Sequence, residues 1–554
     1  MPSQYSTNKR TIGELLSSTS PSLVVPDWQR NFSWTRSEVE MFWLDVKAFS
    51  DEHPGNNITS QEYFLGAIVL VTRDAEFLLL DGQQRLATAT ILLSVIRDHL
   101  YPFREAAANR VQQKYISDYD DATQTAVHKL SLSRYDRDFF RQEVQEATYT
   151  GGSAPRAELE SHRLIRKAKQ FFEEQIGNLH DELGGGEDAF QWLLRMKKVL
   201  ADHVSVVVVN STNEENAATV FETLNDRGIG LSTPDLVRSF LLRRAPPSDV
   251  DEIMDCWRSV LEVADDAKVE DFLRHHWLSR VGDLKTRRLY KAIKSRLEDD
   301  GADSLQFSRD LRRSVAIYRD IVNARDDNAE IARLLQGVRM LGAKALLPSI
   351  LSAYDTEPED ERLRFIKALI VLYVRHVVIG KLENSRLETV VYKVAKQLRE
   401  DGDYGRAITA VREASPPDER FRGEFETATV PRQKSARYLL RELEHAKRVT
   451  GEVTVELPDR VHLEHIYPQT PQEARWPNHS AAVDRLGNLT LLSRKMNQAI
   501  GNAPFLEKRE TYTVSDILLT NELAGYEEWN AQSIDSRQAG LADLARDIWA
   551  FPVI

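Results

Sequence analysis

Cysteine is nearly absent: Cys256 is the one cysteine in 554 residues. It cannot close an internal disulfide, and it excludes a zinc ribbon built on cysteine pairs. With no secretory signal at the N-terminus, the expected location is the reducing cytoplasm. Long apolar runs are also lacking. The most apolar stretch, 365–380, is interrupted by Lys367, Arg375 and His376, well short of the roughly 20 apolar residues a membrane span needs. A buried helix is expected there, and no membrane contact. Excess positive charge is missing too, since 73 Lys and Arg stand against 85 Asp and Glu, a net charge of -12. A chain of that sign repels polyanions as a whole, so any contact with nucleic acid must come from local basic patches or through a bound cation. No Gly-x-x-x-x-Gly-Lys-Ser/Thr loop occurs, which excludes a conventional P-loop.

What is present is ordinary globular composition, 42% hydrophobic and 29% charged, on a length that suits three or four units of roughly 150 residues each. Residues 64–71 and 77–80 read as strands. Asp81-Gly82 ends the second run, and Leu86, Ala89, Thr90, Leu93 and Ile96 follow with helical spacing, so the order is strand, tight turn, helix. The β-branched run 204–209 reads as a strand of the same sheet, covered on both faces. Residues 232–447 are almost wholly helical in pattern, with loops at Ala245-Pro246-Pro247-Ser248, Asp299-Asp300-Gly301 and Ser415-Pro416-Pro417. Gly151-Gly152-Ser153 and Gly184-Gly185-Gly186 read as flexible surface loops. Beyond about 453, short strands at 461–466 and 489–492 precede a helix that begins near Met496 and runs, with a break, past Lys508.

Two polar constellations stand out. In the tail, Glu464-His465-Ile466-Tyr467-Pro468 closes a strand, Gly487-Asn488 opens the next, and Asn497 follows nine positions on. Cutting a phosphodiester with water needs a base for the water and a hard cation for the phosphate. Imidazole, with an unperturbed pKa of about 6.5, suits the first task; a carboxylate with an amide oxygen suits Mg²⁺. Strict strand alternation sends Glu464 and His465 to opposite faces, so both serve one phosphate only where the strand twists or ends, as Tyr467-Pro468 favours. His462 shares the face of Glu464, but without cysteines, or a helix under the motif, a zinc site is the poorer reading. Arg494, Lys495, Lys508 and Arg509, with Arg485, flank the set and read either as phosphate contacts or as a mixed solvated face. Taken singly, Glu464 and His465 read equally well as a surface pair, and Asn488 as a turn former.

Near the N-terminus, Asp81-Gly82-Gln83-Gln84-Arg85 lies where a strand hands over to a helix, so backbone N–H groups can face an anion at the positive end of the helix dipole. Arg85 offers a planar fork for phosphate oxygens, Gln83 or Gln84 can orient a water, and Asp81 can hold a cation. A plain capping turn reads equally well. Trp28, Phe32 and Trp34 read as core packing rather than a base-stacking surface.

Four motifs come in order: Pro26-Asp27-Trp28-Gln29-Arg30 with Phe32 and Trp34, Tyr63-Phe64-Leu65-Gly66, Asp81 to Arg85, and Phe221-Glu222-Thr223-Leu224-Asn225-Asp226-Arg227-Gly228 with Asp235-Leu236. Together with the tail they resemble GmrSD-type, modification-dependent restriction proteins, including SspE-like anti-phage effectors. The resemblance implies a multidomain, predominantly helical α+β chain. Residues 1–240 are then a GmrS-like NTPase and DNA-sensing domain of ParB/sulfiredoxin type, 241–390 a helical connector, and 391–554 a GmrD-like nuclease domain with an HNH, or ββα-metal, module. It implies that Asp81, Gln83, Gln84 and Arg85 act on the nucleotide and that Arg30, Gly82, Asn225 and Arg227 line its site. In the tail it makes His465 the general base, Glu464 and Asn497 the metal ligands and Asn488 the residue that steadies loop and base. Arg494, Lys495, Lys508 and Arg509 are the implied DNA contacts. The implied cofactors are Mg²⁺ or Mn²⁺ and a nucleoside triphosphate, GTP ranked ahead of ATP or CTP. The implied partners are phage or modified DNA, a second copy of the chain and other defence-system proteins, the oligomeric state being open. The implied activity is nicking or cleavage of DNA gated by a mark, phosphorothioate or glucosylated hydroxymethylcytosine. A nucleotide-dependent DNA-binding regulator is the alternative from another class, and an RNA-cleaving toxin the third.

Overall fold

Runs of β-branched and aliphatic residues supply the interior strands of a six-stranded mixed sheet. In spatial order the strands are Tyr5–Thr11, Val204–Ser211, Tyr63–Arg73, Glu76–Asp81, Ser22–Val24 and Leu130–Ser131. The computed structural model describes every residue except 1–4, 18–21, 54–60, 74–75, 121–123, 152–153, 212, 214–216, 218–231, 263–265, 283, 286–287, 300, 302, 357, 449–460, 472–478 and 554. Asn225 and Arg227, expected at the nucleotide site, lie outside the described residues, as does the motif 221–228 around them. The chain divides into two compact units, Met1–Ala245 and Pro246–Ile554. Each is predominantly helical with a smaller sheet, a multidomain α+β architecture.

In the first unit, Val204–Ser211 runs parallel to Tyr63–Arg73 inside the sheet and is covered on both faces, as its unbroken apolar pattern predicts. Alternation divides the neighbouring side chains. Ile68, Leu70, Val206 and Val208 join the main helical core, whereas Val69, Val71, Leu78 and Leu80 pack the opposite face with Trp28 against them. Tyr5–Thr11 carries no apolar alternation and is not predicted from sequence. It exists because its backbone pairs along Val204–Ser211, from Tyr5↔Ser211 to Thr11↔Ser205. The helix Gln83–Leu100 follows the predicted turn and is buried almost all round, which makes it the axis of the unit.

The turn itself requires glycine. Gly82 has φ +94°, and a Cβ there would lie 2.7 Å from Cγ1 of Ile68. Gly66, at φ +121° beside a register shift, leaves room for the guanidinium of Arg85, whose Cζ would be 3.3 Å from a Cβ at that position.

The second unit is a run of helices from Val250–Leu261 to Gln433–Lys447, followed by the antiparallel strands Val461–His465 and Leu489–Ser493 and the helices Arg494–Ile500 and Phe505–Thr513. The stretch 365–380 forms the buried end of the helix Glu359–Tyr373 and the wider turn Val374–Ile379. The arginine that breaks its apolar run is internal: Arg375 is 1% exposed, donates to the carbonyls of Trp549 (2.9 Å) and Pro416 (3.1 Å), and pairs with Asp418 at 2.7 Å. Among the described residues no helix is long and apolar enough to cross a membrane.

Candidate functional site

The strand Val461–His465 ends three residues before Pro468, and its register sets Leu489 opposite His465 and Thr490 opposite Glu464. Adjacent residues on a strand face opposite ways, and the two side chains find different partners. Glu464 turns inward. Its Oε1 accepts from Nζ of Lys508 at 2.6 Å and from the hydroxyl of Tyr512 at 3.1 Å. Burial pushes the carboxyl of Glu464 up and the ammonium of Lys508 down, and each charge pulls the other back. Lys508 also donates to the carbonyl of His465 at 2.8 Å.

His465 turns the other way, toward the turn that precedes the second strand. Its Nε2 lies 3.3 Å from Oδ1 of Asp484 and 3.3 Å from the amide of Gln469. Burial lowers its pKa, and the hydrogen bond and charge of Asp484 raise it in opposition.

Asn488 is fully buried behind this pair. Its Oδ1 accepts from the backbone N–H of Tyr467 (2.8 Å) and from Nε1 of Trp529 (3.0 Å); its Nδ2 donates to the carbonyls of Tyr467 and Val483, both at 3.0 Å. One amide therefore ties the segment after His465 to the segment before Asp484. Asn497 donates through Nδ2 to the carbonyl of Leu463 at 3.2 Å, two residues before the imidazole.

Two expectations need correcting. Lys508 does not face solvent: its side chain is 1% exposed and held by Glu464, so it cannot serve as a DNA contact. Glu464 does not share a face with His465, and its carboxylate is already balanced by an ammonium. The expected pair Glu464 and Asn497 therefore does not fit a divalent cation as arranged. Among the described residues no group of three or more His, Cys, Asp or Glu is placed to hold a metal. Of the basic residues, Arg494 and Lys495 are exposed and Arg509 is half-buried. Arg485 is turned inward, to the carbonyl of Glu426 at 2.7 Å and Oε1 of Gln538 at 3.1 Å. Asp484 is not among the site residues expected from sequence, and its 19-residue separation from His465 gives no signal there.

In the first unit the segment 26–34 crosses the turn at Gly82. Gln83 donates to the carbonyl of Arg30 (2.9 Å), Gln84 donates to the carbonyl of Asn31 (3.1 Å) and accepts from the N–H of Ser33 (2.9 Å), and Gln29 donates to the carbonyl of Leu80 (2.9 Å). Both Gln83 and Gln84 are buried. They fasten this segment to the helix. Around the turn remain Asp81, Arg85 and Arg30. Asp81 lies 4.0 Å from Arg85. Burial raises the carboxyl of Asp81, opposed by the charge of Arg85, the N–H of Gly82 and the charge of Arg30. Arg85 also donates to the carbonyl of Ala67 at 2.8 Å. Arg30 pairs with Asp235 at 3.3 Å, which brings the fourth sequence motif to the first.

Comparison with known families agrees with this division. The model for the N-terminal domain of the GmrSD restriction endonuclease matches residues 12–242, and the model for the C-terminal domain of GmrSD restriction endonucleases matches residues 415–544. No curated protein is similar enough to count as a match. The first match contains the turn at Gly82 with Arg30 and Asp235, the second contains His465, Asp484 and Asn488, and together they take in more than half of the sequence in the order those domains have. The chain belongs to the GmrSD restriction endonuclease family.

Proposed function

We propose that the C-terminal module is an HNH-type nuclease that nicks or cuts DNA, with His465 as the general base that deprotonates the attacking water. The observation that carries this reading is the imidazole itself. It stands at the end of a strand, only 13% exposed, between a carboxylate and a loop locked by a fully buried asparagine. A base held in one orientation, kept able to accept a proton, is what hydrolysis of a phosphodiester requires. Arg494 and Lys495, exposed at the start of the next helix, suit phosphate oxygens on either side of the cut.

The turn at Gly82 is proposed as the triphosphate site. An 18-residue helix presents its N-terminus there, with Arg85 and Arg30 to meet the charge of the phosphates and Asp81 between them. Hydrolysis of that nucleotide is proposed to license cutting of DNA that carries, or lacks, a chemical mark. Membership of a restriction endonuclease family favours this reading over a DNA-binding regulator.

The test is nicking of a supercoiled plasmid. Wild type converts it to the open circle, and His465→Ala loses the conversion while its DNA affinity stays within about twofold. Undiminished cutting by His465→Ala would remove the base from the mechanism.

A further inference from the structure

Asp484 is held on a turn that is anchored on both sides. Its own carbonyl accepts from the N–H of Val430 at 2.9 Å, the carbonyl of Val483 before it accepts from Asn488, and the guanidinium of Arg485 after it is fixed on Glu426 and Gln538. The side chain is therefore brought to His465 by backbone that has little freedom to move. Its Oδ1 meets Nε2 of the imidazole at 3.3 Å, and the two side chains are 13% and 30% exposed.

A carboxylate is an acceptor only, so the nitrogen facing it carries the proton and the other ring nitrogen keeps the lone pair. The amide of Gln469 adapts to either tautomer by a flip of its oxygen and nitrogen. It cannot select one, and the carboxylate can.

We propose that Asp484 is the positioning residue of the nuclease: it holds the Nε2–H tautomer of His465, leaves Nδ1 as the basic atom, and stabilises the imidazolium that forms when Nδ1 takes a proton. This rests on the reading of His465 as general base. In the reaction the water gives its proton to Nδ1 as its oxygen bonds to phosphorus. The ester P–O bond breaks, the leaving oxygen is protonated by solvent, and the imidazolium returns its proton to solvent. Asp484 stays ionised throughout and touches neither water nor phosphate.

The experiment is single-turnover plasmid nicking across a range of DNA concentrations, with thermal unfolding of each variant, for wild type, His465→Ala, Asp484→Ala and Asp484→Asn. Loss of a partner that orients a ligand or base lowers activity by about 10- to 100-fold, so Asp484→Ala is expected to lose that much in the rate of the chemical step while KM for DNA stays within about twofold. Asp484→Asn keeps the shape but puts an amide against Nε2, which can turn its NH2 to the ring and no longer selects the tautomer or stabilises the imidazolium, so it is expected to lose at least as much as Asp484→Ala. A wild-type rate in Asp484→Ala, or a loss confined to KM, overturns the proposal. Should Asp484→Ala fail to fold, Asp484→Asn decides by the same criteria, since it fills the same space. Full cutting by His465→Ala sinks the underlying reading instead. A dead His465→Ala beside a fully active Asp484→Ala sinks only the role of Asp484.

Discussion

Glu464 and His465 are neighbours in the chain with opposite fates, and the difference is a matter of one peptide unit on a strand. The inward carboxylate has a buried ammonium at 2.6 Å and a hydroxyl at 3.1 Å. Such a pair adds little net stability when both ions are present, because desolvation offsets their attraction, but removing one partner leaves the other charged in a dry site. Lys508→Met is accordingly expected to lower stability by about 3–5 kcal/mol. Glu464→Gln combined with Lys508→Met recovers most of that, since no ion is then left unpaired. Urea unfolding at pH 7 measures both, and wild-type stability in Lys508→Met alone would refute the pairing. Little of this was legible in the sequence. His465 and Asn488 stand out only as members of a set with Glu464 and Asn497, through the resemblance that set carries; singly they read equally well as a surface residue and a turn former. The destination of the Glu464 carboxylate depends on a lysine 44 residues later, and that of Asp484 on a turn fixed by Arg485 and Asn488. Those are tertiary facts.

The secondary elements were more readable, because periodicity and glycine act locally. The strands around Ile68 and Leu79, the helix from Gln83 and the run from Val204 follow from alternation, helical spacing and an unbroken β-branched segment. Tyr5–Thr11 does not, since a polar sequence becomes a strand only when a neighbour supplies the hydrogen bonds. The turn between strand and helix gives a prediction at this scale. Gly82 (φ +94°) and Gly184 (φ +70°) both occupy the left-handed region, yet a Cβ would meet Ile68 at 2.7 Å in the first case and nothing within 4 Å in the second. Gly184→Ala carries only the backbone strain, about 1–2 kcal/mol. Gly82→Ala adds a clash with a buried side chain and is expected to lose at least about 1 kcal/mol more. Equal losses for the two, measured by chemical unfolding, would show that Ile68 yields and that the turn tolerates a side chain.

At the scale of the whole molecule the acidic balance matters. With a net charge of -12 the chain repels DNA at long range. The exposed cations beside the proposed nuclease site, Arg494 and Lys495, act only at short range, so on that proposal cutting is disfavoured until something holds DNA in place. The triphosphate site proposed for the first unit would offer a way to make that step conditional: a bound nucleotide can shift the population of a cutting-competent state only by the difference in its affinity for the two states. Arg85 is the group to remove. It sits where Gly66 leaves room for it, 17% exposed, at the start of the helix behind Gly82. Arg85→Ala is expected to abolish triphosphate hydrolysis and, with it, the nucleotide-dependent part of nicking, whereas His465→Ala abolishes nicking and leaves basal hydrolysis within about twofold of wild type. Measuring both activities on both variants gives four numbers. Loss of hydrolysis in Arg85→Ala with full nicking in the presence of nucleotide would mean that the two units work independently. Loss of both activities in His465→Ala would mean that cutting drives hydrolysis rather than the reverse.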